Sequence, residues 1–185
     1  MRPRWLLLLL AAAVTGCAAG ATSYVHPEVD FGRIHRCAVL PFANLSSDAN
    51  AGARLQSVFI SELLTRKGMA IVEPGEVLAA ARDLRLGDDQ TPTPEQYVQL
   101  GKRISADAVF AGTIQEYGAE SLGHDRTYMV TADFTLTETE TGALIWKAQV
   151  HETGMTVWRK LFGGQSASLY DVSRATVRKA IGTLF

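Results

Sequence analysis

Two stretches near the end of the chain alternate apolar and polar residues. In RTYMVTADFTLT, residues 126–137, Tyr128, Val130, Ala132, Phe134 and Leu136 fall on every second position. In ALIWKAQVHE, residues 143–152, Leu144, Trp146, Ala148 and Val150 do the same, and Glu140-Thr141-Gly142 lies between the two. A period of two is the mark of a strand with one apolar face, and a short glycine-containing link joins two such strands into an antiparallel hairpin. A hairpin of this kind must bury its apolar side against something else. A soluble sheet covered by helices on one face satisfies that need, and so does a membrane strand of about 9–11 residues. The single clear hairpin favours the covered sheet.

The cover is visible upstream. Cys37 to Phe42 is a short apolar run closed by Pro41 and by Asn44-Leu45-Ser46-Ser47-Asp48, which fits a buried strand. Leu55, Val58, Phe59 and Leu63 then recur at helical spacing, and Gly68 ends that helix. Met69–Val72 is a second strand, and Pro74 opens a helix with Val77, Leu78, Ala81 and Leu84 inward. After the break at Gly87-Asp88-Asp89-Gln90, Thr93-Pro94-Glu95-Gln96 carries a cap, a first-turn proline and a returning glutamine. The helix it starts runs to about Ile104, and Ala108–Tyr117 is a third strand. A final helix from about Ser168 places Leu169, Val172, Val177, Ala180, Ile181 and Leu184 on one side; Arg174, Arg178 and Lys179 read as its solvated side. The order β-α-β-α-α-β-β-β-α predicts an α/β fold, a mixed sheet with helices packed on it, with parallel pairing early and antiparallel pairing late.

The amino terminus is of another kind. Trp5–Val14 is apolar, about half the length of a membrane-spanning helix, and sits behind Arg2 and Arg4. That is the layout of a secretory signal peptide. Val14-Thr15-Gly16-Cys17 resembles a bacterial lipobox, which implies cleavage before Cys17 and acylation of its thiol and freed amine. Two or three acyl chains hold a protein firmly to a bilayer where one does not. Ala18 after the cysteine implies delivery to the outer membrane. The expected organisation is signal peptide 1–16, flexible tether 17–30 and one periplasmic domain 31–185.

Removing residues 1–16 takes Arg2 and Arg4 from a chain of 18 Lys+Arg and 19 Asp+Glu, leaving it mildly acidic. That excludes the basic footprint of a nucleic-acid binder. Of the two cysteines, Cys37 alone would remain free, too few for a disulfide, and it reads as a small buried hydrophobe.

CAVLPFANLSSDANAGARLQSVFISELLTRKG, GKRISADAVFAGTIQEYG and TETGALIWKA resemble bacterial lipoproteins of the CsgG type, the TolB amino-terminal domain and the LpoB-type activators of peptidoglycan synthases. The likeness spans residues 37–150. It implies a TolB amino-terminal-domain-like fold and a periplasmic domain held at the outer membrane for assembly, export or envelope maintenance. CsgG-type channel subunits carry two amphipathic hairpins; this chain shows one.

Chemistry-bearing motifs are scarce. His26, His35, His124 and His151 lack metal-ligand spacing, no cofactor motif is present, and Gly164-Gln165-Ser166-Ala167-Ser168 lacks the last glycine of a nucleophile elbow. GMTVWRKLFGG, residues 154–164, concentrates large apolar side chains around two cations. Trp158, Arg159, Leu161 and Phe162 are therefore candidate anchors for a protein partner; packing on the core is the other reading. The expectation is a lipid-anchored binding and assembly factor that is not an enzyme and acts on other envelope proteins. Oligomerisation is left open. A subunit of an oligomeric export channel is the first alternative, and an enzyme with a dispersed active site the second.

Overall fold

The computed structural model describes residues 21–66, 68–87, 91–122, 125–154 and 167–184. Its strands are β1 (Thr22–Val25), β2 (Arg36–Val39), β3 (Ala43–Asn44), β4 (Ala70–Ile71), β5 (Ala108–Leu122), β6 (Asp125–Glu138) and β7 (Leu144–Thr153). Its helices are α1 (Ala51–Leu64), α2 (Pro74–Asp83), α3 (Pro94–Ile104) and α4 (Leu169–Ile181). All seven strands join one mixed sheet in the order β1-β7-β6-β5-β2-β4, with β3 also on β5. β2 and β3 run parallel to β5, whereas β5, β6 and β7 are successively antiparallel.

The predicted order holds, with two additions. β3 is a two-residue continuation of the β2 chain, held on β5 where Asn44 pairs with Ile114. β1 lies inside the expected tether and corrects it. Thr22–Val25 pairs antiparallel with β7, Val25 opposite Trp146, so the ordered domain begins before residue 31. The outer edge of β7 would otherwise be open, and an unpaired edge readily takes a strand.

Each sheet face has its own core. On the first, α1 and α4 lie over β5, β6 and β7 and bury Val130, Ala132, Phe134, Leu136, Trp146, Ala148 and Val150. The alternating residues Val130–Leu136 and Trp146–Val150 of the hairpin are therefore core. Phe59 of α1 centres this layer, its ring 5.1 Å from Phe134 and 5.2 Å from Phe110. The buried Trp146 donates its indole N–H to Thr183 Oγ1 at 3.0 Å, so no polar atom is stranded there. Gly112 of β5 lies under Phe42, whose ring would be 2.9 Å from an added Cβ. On the second face α2 and α3 bury Ala38, Leu40, Val72, Val77, Leu100 and Val109. They cover β2 and the near part of β5, touching β6 only at its end.

Leu144 departs from the expected pattern. A register shift between Leu136 and Thr137 inserts one residue opposite β6. A one-residue shift exchanges faces. Ile145 consequently enters the first core and Leu144 turns to the second face, 41% exposed.

The charged side of α4 also differs from expectation. Arg174 Nε and Arg178 Nε donate to the two oxygens of Glu62 on α1 at 2.6 and 2.9 Å. Lys179 bonds Glu152 of β7 at 2.5 Å. Burial pushes the Glu62 carboxyl up, but the hydrogen bonds and charges of Arg178 and Arg174 outweigh it and hold the group below the usual glutamate value. A carboxyl held low contributes stability that is present at neutral pH and lost as pH falls through its folded value. Glu62→Gln should therefore lower stability by about 2 kcal/mol at pH 7. In denaturant titrations across pH, the difference from wild type should shrink in acid, below about pH 4.

Candidate functional site

Among the described residues no helix covers the second face of the sheet beyond α3, and a groove of about 570 Å³ lies there. Its floor is built from the outward positions of three strands: Ala111 and Thr113 of β5, Asp133, Thr135 and Thr137 of β6, and Lys147 of β7. All but Ala111 are polar partners in the alternation that buries Phe134 and Leu136 on the other side. One wall is Leu40, Pro41 and Ala43, where the chain passes from β2 to β3. The opposite wall is the link between α2 and α3, with Leu86, Pro92 and Pro94, backed by Tyr97. The bulge brings in Leu144, and the turn at Gly142, with φ of 76°, closes that end.

Local sequence rules hold the α3 wall in place. Thr93 Oγ1 accepts from Gln96 N, and Gln96 Oε1 accepts from Thr93 N, a reciprocal cap that fixes where α3 starts. Gly101 lets α3 approach the end of β6, because an added Cβ would collide with Thr139. Thr139 Oγ1 itself donates to Ala106 O at 2.5 Å, tying the loop before β5 to the end of β6.

The groove is apolar at its walls and polar along its floor. Gln115 Nε2 donates to Asp133 Oδ2 at 2.5 Å, while Asp133 Oδ1 is buried and has no hydrogen-bond partner. Lys147, opposite Thr135 on β7, is the next residue along that face of β7 after Asp133's partner Gln149. Buried polar atoms are nearly always paired, so an orphaned carboxylate oxygen in a cavity wall stands out. Burial raises the Tyr97 phenol above its ordinary value, against a hydrogen bond with Thr137, so the wall presents a neutral hydroxyl. Farther along the face Thr131 Oγ1 donates to Glu116 Oε2 at 2.6 Å and lies 2.8 Å from His151 Nδ1.

This arrangement can bind. Among the described residues no three His, Cys, Asp or Glu side chains gather for a metal ion. Cys37 is buried in β2, and burial, with the negative charge of Asp107, pushes its thiol up to about 12. At neutral pH it is a packed thiol, as its sequence context implied. No helix among the described residues is long and apolar enough to cross a membrane.

The residues singled out from the sequence, Cys17, Trp158, Arg159, Leu161 and Phe162, lie outside the described residues. The ends of the stretch that holds the last four are placed. Gly154 N bonds Tyr128 O at 2.7 Å and Ala167 N bonds Gly154 O at 3.0 Å, so the chain leaves and re-enters at one point beside β6. Because Thr22 is opposite Gln149, β1 begins toward that same end of the sheet. The groove residues Asp133, Gln115, Tyr97 and Leu144 were not singled out. Alternation marked Asp133 as polar, but only the helix layout shows that no element among the described residues covers it.

No protein-family model matches the sequence, and no curated protein matches it. Solved structures do. The PelC dodecamer from Paraburkholderia phytofirmans matches at 19% identity with a TM-score of 0.57, over 87% of this chain and 95% of that one. Lipoprotein GNA1162 from Neisseria meningitidis matches at 19% identity and 0.58, over 80% and 99%. The LpoB C-terminal domain from Salmonella enterica matches at 13% identity and 0.50, over 68% and 86%. The chain has the fold of these proteins. The LpoB-type part of the sequence resemblance thus holds at the level of fold; the CsgG-type part gains no support.

Asp133→Asn keeps an acceptor for Gln115 and removes an uncompensated charge from the groove. Its melting temperature should rise by about 1–3 °C, measured by calorimetry.

Proposed function

We propose that this chain is an outer-membrane-anchored lipoprotein whose periplasmic α/β domain binds other envelope proteins and helps them assemble. The observation that carries the reading is the groove: part of one sheet face that no described helix covers, with apolar walls and a hydrogen-bonding floor. A concave apolar site with a few convergent polar groups is the usual form of a binding site. The Val-Thr-Gly-Cys site supplies the anchor. Two structures of the same fold point the same way: one is described as a lipoprotein, and another is the C-terminal domain of LpoB, the type of protein the sequence resembles. On this reading Cys17 carries the lipid, and the protein works by binding and not by catalysis.

A second reading has one observation in its favour. PelC, which this chain matches over nearly the whole of that structure, is described as a dodecamer. A closed ring of copies would then present many grooves at once. The size of the detergent-extracted particle separates a ring from a monomer, and bilayer conductance separates a channel from both.

Two substitutions test the main reading in cells. Cys17→Ser should abolish fatty-acid labelling and leave the signal segment uncleaved by the lipoprotein peptidase. A photo-crosslinking residue in place of Leu144, in the groove, should capture envelope proteins. The same residue in place of Leu64, exposed on α1, should not. Equal capture from both positions would remove the groove as the contact surface.

A further inference from the structure

We infer that the domain meets its bilayer with one end of the sheet, the end from which the β5–β6 hairpin projects, so that the hairpin lies against lipid headgroups. This rests on Cys17 carrying the lipid and goes on to name the surface that faces the membrane. Strand direction sets the geometry. β5 runs toward this end and β6 starts there, while β7 finishes there with Thr153 opposite Met129. β1 is antiparallel to β7, so the chain before Thr22 heads the same way. α4 starts there too, because Ala167 N bonds Gly154 O just past the end of β7. The hairpin then goes on alone. Beyond Gly118 and Met129 its strands stay paired as far as Leu122 and Asp125. No other described strand flanks that part, since β3 stops at Ile114 of β5 and β7 at Met129 of β6.

Two lengths decide what the hairpin meets. Thr22 lies opposite Gln149, which pairs with Asp133 of β6. From Asp133 to the hairpin end at Asp125 the strand measures about 27 Å at the usual rise. The backbone from Cys17 to Thr22 spans about 17 Å when fully extended. Drawn out along the strands, the hairpin passes the lipid attachment point by roughly 10 Å. An upright domain therefore drives it into the headgroup layer, and a tilted one lays it on top. A domain lying on β1 would instead press that strand's unpaired edge against lipid, which cannot replace water as its hydrogen-bonding partner. Side chains at the hairpin end favour the first orientation. Leu45, just past β3, is 70% exposed, and Tyr170, in the first turn of α4, is 60% exposed. An exposed leucine gains from lipid, and tyrosine suits the boundary between lipid and water. The groove, which runs from Gln115 to the Gly142 turn, is then left open to the compartment.

The test uses the mature lipidated protein in vesicles of phosphatidylethanolamine and phosphatidylglycerol. A small fluorophore is attached at Ala119→Cys, exposed on the projecting part of β5, or at Glu140→Cys, in the turn beyond the far end of β6. The two positions are roughly 35 Å apart along the strands. Cys37 stays unlabelled, because it is buried and its thiol is pushed up to about 12, and Cys17 is blocked by its acyl chain. A nitroxide on the lipid headgroup quenches nearby fluorophores. The label at Ala119→Cys should lose most of its emission and the label at Glu140→Cys almost none. Flotation with the vesicles reads the anchor separately. Floating protein that is quenched equally at both positions, more strongly at Glu140→Cys, or at neither would overturn the inference while leaving Cys17 as the anchor. Wild-type protein that does not float would overturn the anchor and the inference together.

Discussion

The pairing of β5 on both of its edges is the constraint from which the rest of the structure follows. Its first half accepts β2 and β3 in parallel, which requires a crossover through α1 and another through α2 and α3. Its other edge takes β6 in antiparallel register along the full strand, which needs only a tight turn. One strand thus joins two styles of sheet. Helices collect over the parallel half on both faces. The antiparallel half is covered on one face by α1 and α4 and, among the described residues, carries no helix on the other. The groove is the boundary between the two styles, and its floor is polar because those strand positions never had a helix to pack against.

What fixes the first layer is a pair of contacts between α1 and the rest. Phe59 fills the centre, and Glu62, one turn along the same helix, is clamped by Arg174 and Arg178. Glu62 and its arginine partners are 112 and 116 positions apart in the chain. The aromatic contact supplies burial, whereas the ion cluster fixes the angle and register of α4 on α1, since both carboxylate oxygens must be satisfied at once. Lys179 adds a third tie from α4 to β7.

The architecture was legible in the sequence because its signals are local. Thr93 and Ser168 each sit three residues before their capping partners, and both helices begin where those signals put them. The alternation of residues 128–136 gave the buried face of β6 directly. What escaped was non-local. Nothing near Thr22 announces a strand; it forms because β7 offers an edge. Leu144 was placed on the wrong face because a bulge is invisible to a count of two. Arg174 and Arg178 looked solvated because Glu62 is over a hundred positions away in sequence. The groove could not be seen for the same reason: it is defined by having no described helix above Asp133, and no local pattern marks a position by what does not pack on it.

The strand β1 has a mechanical consequence. By taking Thr22–Val25 into the sheet, the domain shortens its own leash. With Cys17 in the bilayer as proposed, five peptide steps separate the lipid from the first paired residue. At full stretch they reach about 17 Å. A tether ending at residue 30 would have let the domain roam nearly three times as far. Under that proposed anchor the shorter leash would hold the domain against the membrane surface, and its partners would have to come to that surface to meet it.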